Sequence, residues 1–361
     1  MCPLFIVTES THLYIYLNLT FCFSLISFLF LFESPCQPRQ GLFLTQIQIL
    51  KQKILFLRMF KWYIPFCLLI NYGLSAQKVS HGSLDLYPSF PSSFVASRTV
   101  AVWLPENYDP QENYPVLYMH DGQMLFDANT TWNKLEWGLD EVAHREITAG
   151  NIRPFIGVGI WNGGALRHAE YIPQKALELL SENQRDSIIK HSTRGGYPLF
   201  QTPLQADAYL KFLTQEVKPF IDQKYPTLAD AEHTFIMGSS MGGLISWYAL
   251  CEYPQIFGGA ACLSTHWPGG FVYEKNPIPG AFLAYLNQNL PPPKNHRLYF
   301  DLGDATLDAH YPDLQEEVNK LLSKKGFAEP YWKTLFFPGE EHSEIAWNKR
   351  LHEPLNFLLS N

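Results

Sequence analysis

Residues 238–242, Gly238-Ser239-Ser240-Met241-Gly242, set a serine between two glycines at the spacing of a sharp strand-to-helix turn. The apolar run Phe235, Ile236, Met237 before it reads as a buried strand, and residues 244–251 continue with helical apolar spacing. At the tip of such a turn the Ser240 hydroxyl is exposed, and any side chain at Gly238 or Gly242 is expected to clash with the neighbouring strand or helix. The pentapeptide alone is a weak signal, because small residues cluster in many turns. Strand before and helix after make it a G-x-S-x-G turn with Ser240 as nucleophile.

A serine hydroxyl is a poor nucleophile at neutral pH and needs a base, with a third group to orient that base. Of twelve histidines, His342 sits where a base belongs, in the loop 337–344 between the last expected strand and the last expected helix. His81, His144, His191 and His352 have no such context and read as surface residues. The acid should follow the strand 298–302, in Asp301-Leu302-Gly303-Asp304-Ala305-Thr306-Leu307-Asp308. Asp301 lies within the strand and Asp304 in the turn, where aspartate often serves only the turn. Asp308 is further along and better placed to reach His342, so it is the acid, with Asp304 as the alternative. An oxyanion needs donors in place before reaction. The backbone N–H of Met241 supplies one, and that of Gln123 in His120-Asp121-Gly122-Gln123, where Gly122 lets the chain turn, supplies the other. His120 and Asp121 do not read as metal ligands, since adjacent side chains diverge from a strand end and no third ligand is near. No metal or cofactor is expected.

These groups need a scaffold. Beyond Gln77 the chain alternates strand-like segments (94–104, 115–120, 155–161, the run before Ser240, 258–263, 297–302, 331–337) with helix-like ones (135–147, 206–225, 244–251, 312–324, 343–359). That alternation specifies an α/β fold with a mostly parallel central sheet covered by helices on both faces. The polar, turn-rich stretch 162–203 is too long for a simple crossover and is expected at the mouth of the site.

The chain has 361 residues and net charge −7, unevenly placed. Arg39, Lys51, Lys53 and Arg58 outweigh Glu9 and Glu33, Lys61 and Lys78 add two more positive charges, and residues 79–361 are left at −11. An acidic body with no basic stripe argues against a nucleic-acid partner. Residues 13–32 form a twenty-residue uncharged apolar run. From Met59 a second signal follows: a short basic start, an apolar core at 64–70, and small residues at Leu74-Ser75-Ala76-Gln77. The reading is a signal peptide at 59–76, exporting a catalytic domain at 77–361 to the periplasm or the medium. Residues 1–58 are then an extension outside the mature protein, or 13–32 are a membrane anchor. Four of six cysteines (Cys2, Cys22, Cys36, Cys67) lie in that front part; Cys251 and Cys262 read as buried thiols, with a bridge between them open.

Three stretches in order, 114–126, 235–244 and Gly339-Glu340-Glu341-His342-Ser343-Glu344-Ile345-Ala346-Trp347, resemble the putative-esterase family of α/β-hydrolases, which includes esterase D, enterochelin esterases, feruloyl and acetyl-xylan esterase domains and mycolyltransferases. The resemblance covers roughly residues 90–360 and implies a cofactor-free serine hydrolase with Ser240 as nucleophile and His342 as base. Many members carry the acid shortly after a Gly-Thr pair, whereas Gly303 is followed here by Asp304. The expected activity is hydrolysis of a carbohydrate-, phenolic- or siderophore-linked carboxylic ester through an acyl-enzyme. Acyl transfer on the same residues, or a secreted binding protein that has lost activity, are the alternatives. Trp161, Arg167, Glu170 and Trp267 follow strand ends on the ligand-facing side and are candidate substrate contacts: Arg167 for a carboxylate or phosphate, Trp267 for a sugar or aryl ring.

Overall fold

Short runs such as Val-Leu-Tyr-Met-His (116–120), Ile-Gly-Val-Gly-Ile (156–160) and Thr-Phe-Ile-Met-Gly-Ser (234–239) are apolar at successive positions, so they suit strands buried on both faces. The computed structural model describes residues 77–360 apart from 195–196, 201–202 and 273–274. The expected signal peptide and the apolar run 13–32 lie outside the described residues. Among the described residues no helix is long and apolar enough to cross a membrane.

Among the described residues are ten strands: β1 (Ser83–Phe90), β2 (Arg98–Leu104), β3 (Val116–His120), β4 (Ile156–Ile160), β5 (Thr193–Arg194), β6 (Tyr197–Pro198), β7 (Thr234–Ser239), β8 (Gly259–Leu263), β9 (Arg297–Leu302) and β10 (Trp332–Phe336). Eight form one sheet in the order β1-β2-β4-β3-β7-β8-β9-β10, while β5 and β6 make a separate hairpin. From β4 to β10 every pairing is parallel; β1 and β2 join antiparallel at one edge. The carboxyl ends of six strands therefore share one rim of the sheet. The strand order reverses around β3, and open α/β sheets hold ligands at such a switch point.

Alternate side chains leave the sheet on opposite faces. Val116, Tyr118 and Ile236 join one apolar core, while Leu117, Met119, Phe235 and Met237 join the other. Edge strand β1 is not signalled by the sequence, because Ser-Leu-Asp-Leu-Tyr-Pro-Ser-Phe is half-exposed and carries Pro88, which only an edge tolerates. The single helix expected over 206–225 is instead helical at Ala206–Lys211, a π-turn over Phe212–Val217, and helical again at Lys218–Lys224. Pro219 has no N–H to donate to the preceding turn, and Thr214 Oγ1 donates to Leu210 O at 2.7 Å inside the widened stretch.

Candidate active site

Strand β7 passes through Ser240 directly into the helix Met241–Glu252. Ser240 has φ 57° and ψ −119°, a conformation an L-residue adopts at a cost of about 1–3 kcal/mol. Full burial of Ile236 and Met237 just before it, worth roughly 1.5–3 kcal/mol each, outweighs that strain. The turn is also pinned by hydrogen bonds. Ser240 N donates to Leu263 O (2.9 Å), and Ser240 O accepts from the N–H groups of Gly243 (3.0 Å), His266 (3.1 Å) and Leu244 (3.3 Å). A Cβ at Gly238 would lie 2.9 Å from the backbone of Gly242, so that position admits no side chain. At Gly242 the expectation of a clash is corrected: a Cβ there would meet His120 Cβ at 3.4 Å and Asp121 Oδ2 at 3.5 Å, ordinary contact.

His342 stands in the loop after β10, and its N–H donates to Thr306 Oγ1 (2.9 Å). Its ring meets the rings of Trp347 (centroids 5.1 Å) and Tyr311 (5.8 Å) edge to face. Nδ1 lies 2.6 Å from Asp308 Oδ1. A carboxylate at that distance fixes the proton of a neutral imidazole on Nδ1 and leaves the Nε2 lone pair free to act as a base.

Asp308 is fully buried, in the turn Thr306–His310 after β9. Its Oδ2 accepts from Ser264 Oγ (2.6 Å) and Gly303 N (2.8 Å). Ser264 Oγ in turn accepts from Trp347 Nε1 (3.0 Å) and Arg350 Nη2 (2.8 Å), so its single proton is directed at Asp308. Burial alone would raise the Asp308 carboxyl pKa, but the bonds from His342 and Ser264 hold it below the ordinary value. Arg350 also pairs with the buried Asp301 (3.0 Å), whose pKa burial pushes up to about 6 against the pull of that arginine. Asp304 is exposed, and its Oδ1 accepts from Gly339 N at 2.6 Å, which ties the acid loop to the histidine loop. The two loops meet so closely that a Cβ at Gly303 would lie 2.0 Å from Glu340 O.

After β3, the turn expected at Gly122 is made by Asp121, which has φ 57°, with Met124 N donating to Asp121 O at 2.8 Å. Gly122 is required for a different reason: a Cβ there would lie 2.5 Å from the backbone of Gly159 in β4. Gln123 and Met241 each fall in the first turn of a helical segment, where N–H groups lack an intrahelical acceptor. Asp121 accepts from Asn162 Nδ2 (2.7 Å) and from Arg167 Nε and Nη2 (2.7 and 2.8 Å). His120 Nδ1 is 2.8 Å from Tyr209 Oη, and burial lowers its pKa to about 3.

The substrate-contact candidates divide. Trp161, half-buried, and Arg167 both lie near the turn after β3, but Arg167 already has its charge met by Asp121. Glu170 is fully buried in a two-pronged pair with Arg98 (2.6 and 2.8 Å). Trp267 is 2% exposed, stacks on Trp247 and donates to Gln315 Oε1 at 2.8 Å. Glu170 and Trp267 therefore hold the scaffold and present nothing to a ligand, which corrects the sequence expectation. Cys251 and Cys262 are both free and buried, so the bridge left open between them is not made. Sequence reasoning passed over Ser264, Tyr311, Trp347 and Arg350. Ser264 directly follows β8 and Trp347 falls in the histidine motif, but neither fact specifies a role, and nothing in the sequence singles out Tyr311 or Arg350.

A family model described as putative esterase matches residues 92–356. The chain belongs to that family. The family members are esterases, and this chain is accordingly an esterase, an enzyme that hydrolyses a carboxylic ester. Among curated proteins it is 25% identical over 269 residues to the uncharacterised protein YbbA of Bacillus subtilis, covering 73% of this chain and 92% of that one. Among solved structures it resembles an IroE-like serine hydrolase from Shewanella oneidensis (TM-score 0.58, 19% identity, 77% of this chain and 80% of that chain). It also resembles a ferulic acid esterase (TM-score 0.55, 19% identity, 78% and 99%). At these identities the structural likeness is one of fold, and the fold is that of the α/β-hydrolases.

Proposed function

We propose that this esterase cleaves its ester through Ser240, His342 and Asp308 by way of an acyl-enzyme. His342 Nε2 takes the Ser240 proton as Oγ attacks the carbonyl carbon, and the N–H groups of Met241 and Gln123 receive the oxyanion. Collapse of the tetrahedral intermediate breaks the bond to the alcohol oxygen, which leaves with the proton from His342. Water then repeats the sequence on the acyl-enzyme and releases the acid. Asp308 keeps the imidazole in the required tautomer and offsets its charge when protonated. The observation carrying this reading is the 2.6 Å contact of His342 Nδ1 with Asp308 Oδ1, joined to the strained Ser240 turn through Ser264, which donates to Asp308 and follows the Leu263 carbonyl that accepts from Ser240 N.

The ester would be phenolic, carbohydrate-linked or siderophore-linked, in keeping with the ferulic acid esterase among the structural relatives. A panel of acetylated, feruloylated and siderophore-type esters, with Ser240→Ala as control, tests both parts. Turnover is expected to fall by at least about 10⁴-fold in the variant. Undiminished turnover would remove Ser240 from the mechanism.

A further inference from the structure

His81, Glu106 and His144, far apart in the sequence, meet on three different pieces of the scaffold: just before β1, just after β2 and within the helix Leu139–Thr148. One ligand atom from each lies within 4.8 Å of the other two. His144 Nδ1 is 2.8 Å and His81 Nδ1 3.6 Å from the same oxygen, Glu106 Oε2. A tetrahedral zinc with bonds of about 2.0–2.1 Å has ligand atoms roughly 3.3 Å apart, and the two distances bracket that value.

The ligand positions are held by backbone as well as by side chains. His81 N donates to Asp140 Oδ2 (3.1 Å), and His81 O accepts from Trp103 Nε1 (2.8 Å). The next residue, Gly82, has φ 80° and approaches Leu104 O so closely that a Cβ would lie 2.2 Å from it. One helical turn before His144 stands Asp140, fully buried; its Oδ1 has no hydrogen-bond partner among the described residues, nor does the buried Oε2 of Glu141. Two carboxyl oxygens on the helix turn that carries His144 are thus left without a hydrogen-bond donor among the described residues.

We infer that His81, Glu106 and His144 form a binding site for a divalent transition-metal ion of the zinc type. Two imidazoles and one carboxylate suit Zn²⁺ and its neighbours over Ca²⁺ or Mg²⁺, which take oxygen ligands. Water completes the coordination, since all three side chains are partly exposed. The two imidazole rings now stack in parallel with centroids 3.9 Å apart. An ion lying in both ring planes requires that stack to open by rotation of two solvent-accessible side chains. The ion would clamp the segment preceding β1 onto β2 and the helix, independently of ester hydrolysis.

Titration calorimetry of the full chain with ZnCl₂ in a non-chelating buffer tests this. The expected result is a single low-micromolar site, weakened at least about tenfold in both His144→Gln and Glu106→Gln, with Ca²⁺ and Mg²⁺ giving no heat. Zinc should raise the Tm of the wild type by a few degrees and that of His144→Gln by much less. Unchanged aryl-ester turnover of the variants in zinc-free buffer shows that they are folded. Absence of zinc binding below millimolar concentration, or binding as tight in both variants as in the wild type, would overturn the assignment.

Discussion

Asp308 and Asp304 are four residues apart on the same loop, yet their surroundings differ as much as two carboxylates can. Asp308 is buried and divides its oxygens, Oδ1 to His342 and Oδ2 to Ser264 and Gly303. Asp304 is exposed and spends Oδ1 on a backbone N–H. Asp308→Asn would keep the shape but offer an N–H or a neutral oxygen to His342 Nδ1, favouring the wrong tautomer; kcat is expected to fall by about 10⁴-fold with little change in KM. Asp304→Asn retains an acceptor for Gly339 N and should lower kcat by no more than a few fold. Steady-state kinetics on one aryl ester decides between them, and the reverse ranking would give the acid role to Asp304. Sequence separation could rank the two but could not supply the decisive fact. That fact is the company Ser264, Trp347 and Arg350 provide around Oδ2, assembled from β8 and the segment after the histidine loop.

At the scale of elements, the parts legible in the sequence are those whose periodicity is imposed by burial on both faces. Strands β3, β4, β7, β8 and β9 read directly as apolar runs, and the Ser240 turn reads from the glycines around it. Contacts that depend on how closely two backbones approach leave no periodic trace. Gly122 shows the difference, since its neighbour Asp121 takes the left-handed turn while Gly122 is needed where the chain presses on Gly159. Gly122→Ala should therefore push the turn bearing Gln123 away from β4, lowering kcat for ester hydrolysis by about 10²-fold, the loss seen when one oxyanion donor is misplaced. Gly280 offers the contrast, for a Cβ there meets nothing within 4 Å and the residue lies in the helix Ile278–Asn289. Gly280→Ala should leave kinetics untouched and raise stability by about 0.5–1 kcal/mol in urea melts. Equal kinetic effects of the two substitutions would refute the close-approach argument.

Across the whole molecule, buried titratable groups pull the pH dependence of stability in opposite directions. Burial lowers His120 to about 3 and His266 to about 4, and raises Asp301 to about 6 and Asp140 to about 7. A histidine with a depressed folded pKa is neutral in the fold but protonated in the unfolded chain between roughly pH 6.5 and its folded value. Its contribution is fully present above about pH 6.5 and is lost as pH falls, at about 1.4 kcal/mol per unit. A carboxyl with a raised folded pKa does the reverse: its contribution is present at low pH and declines as pH rises from roughly 3.9 to the folded value. Between about pH 4 and 6 the two pairs oppose each other, so the wild-type profile should be shallow there while each component is steep. Replacing one histidine exposes this. The stability difference between wild type and His120→Gln, measured by urea denaturation, should shrink by about 1.4 kcal/mol for each unit of pH lowered from 6.5 to 4. His120 is held by Tyr209 Oη and surrounded by Tyr171, Asp121 and Arg167, so only its own titration is removed by the substitution while those partners remain. A difference that stays constant over that range would mean that His120 titrates alike in the folded and unfolded chain.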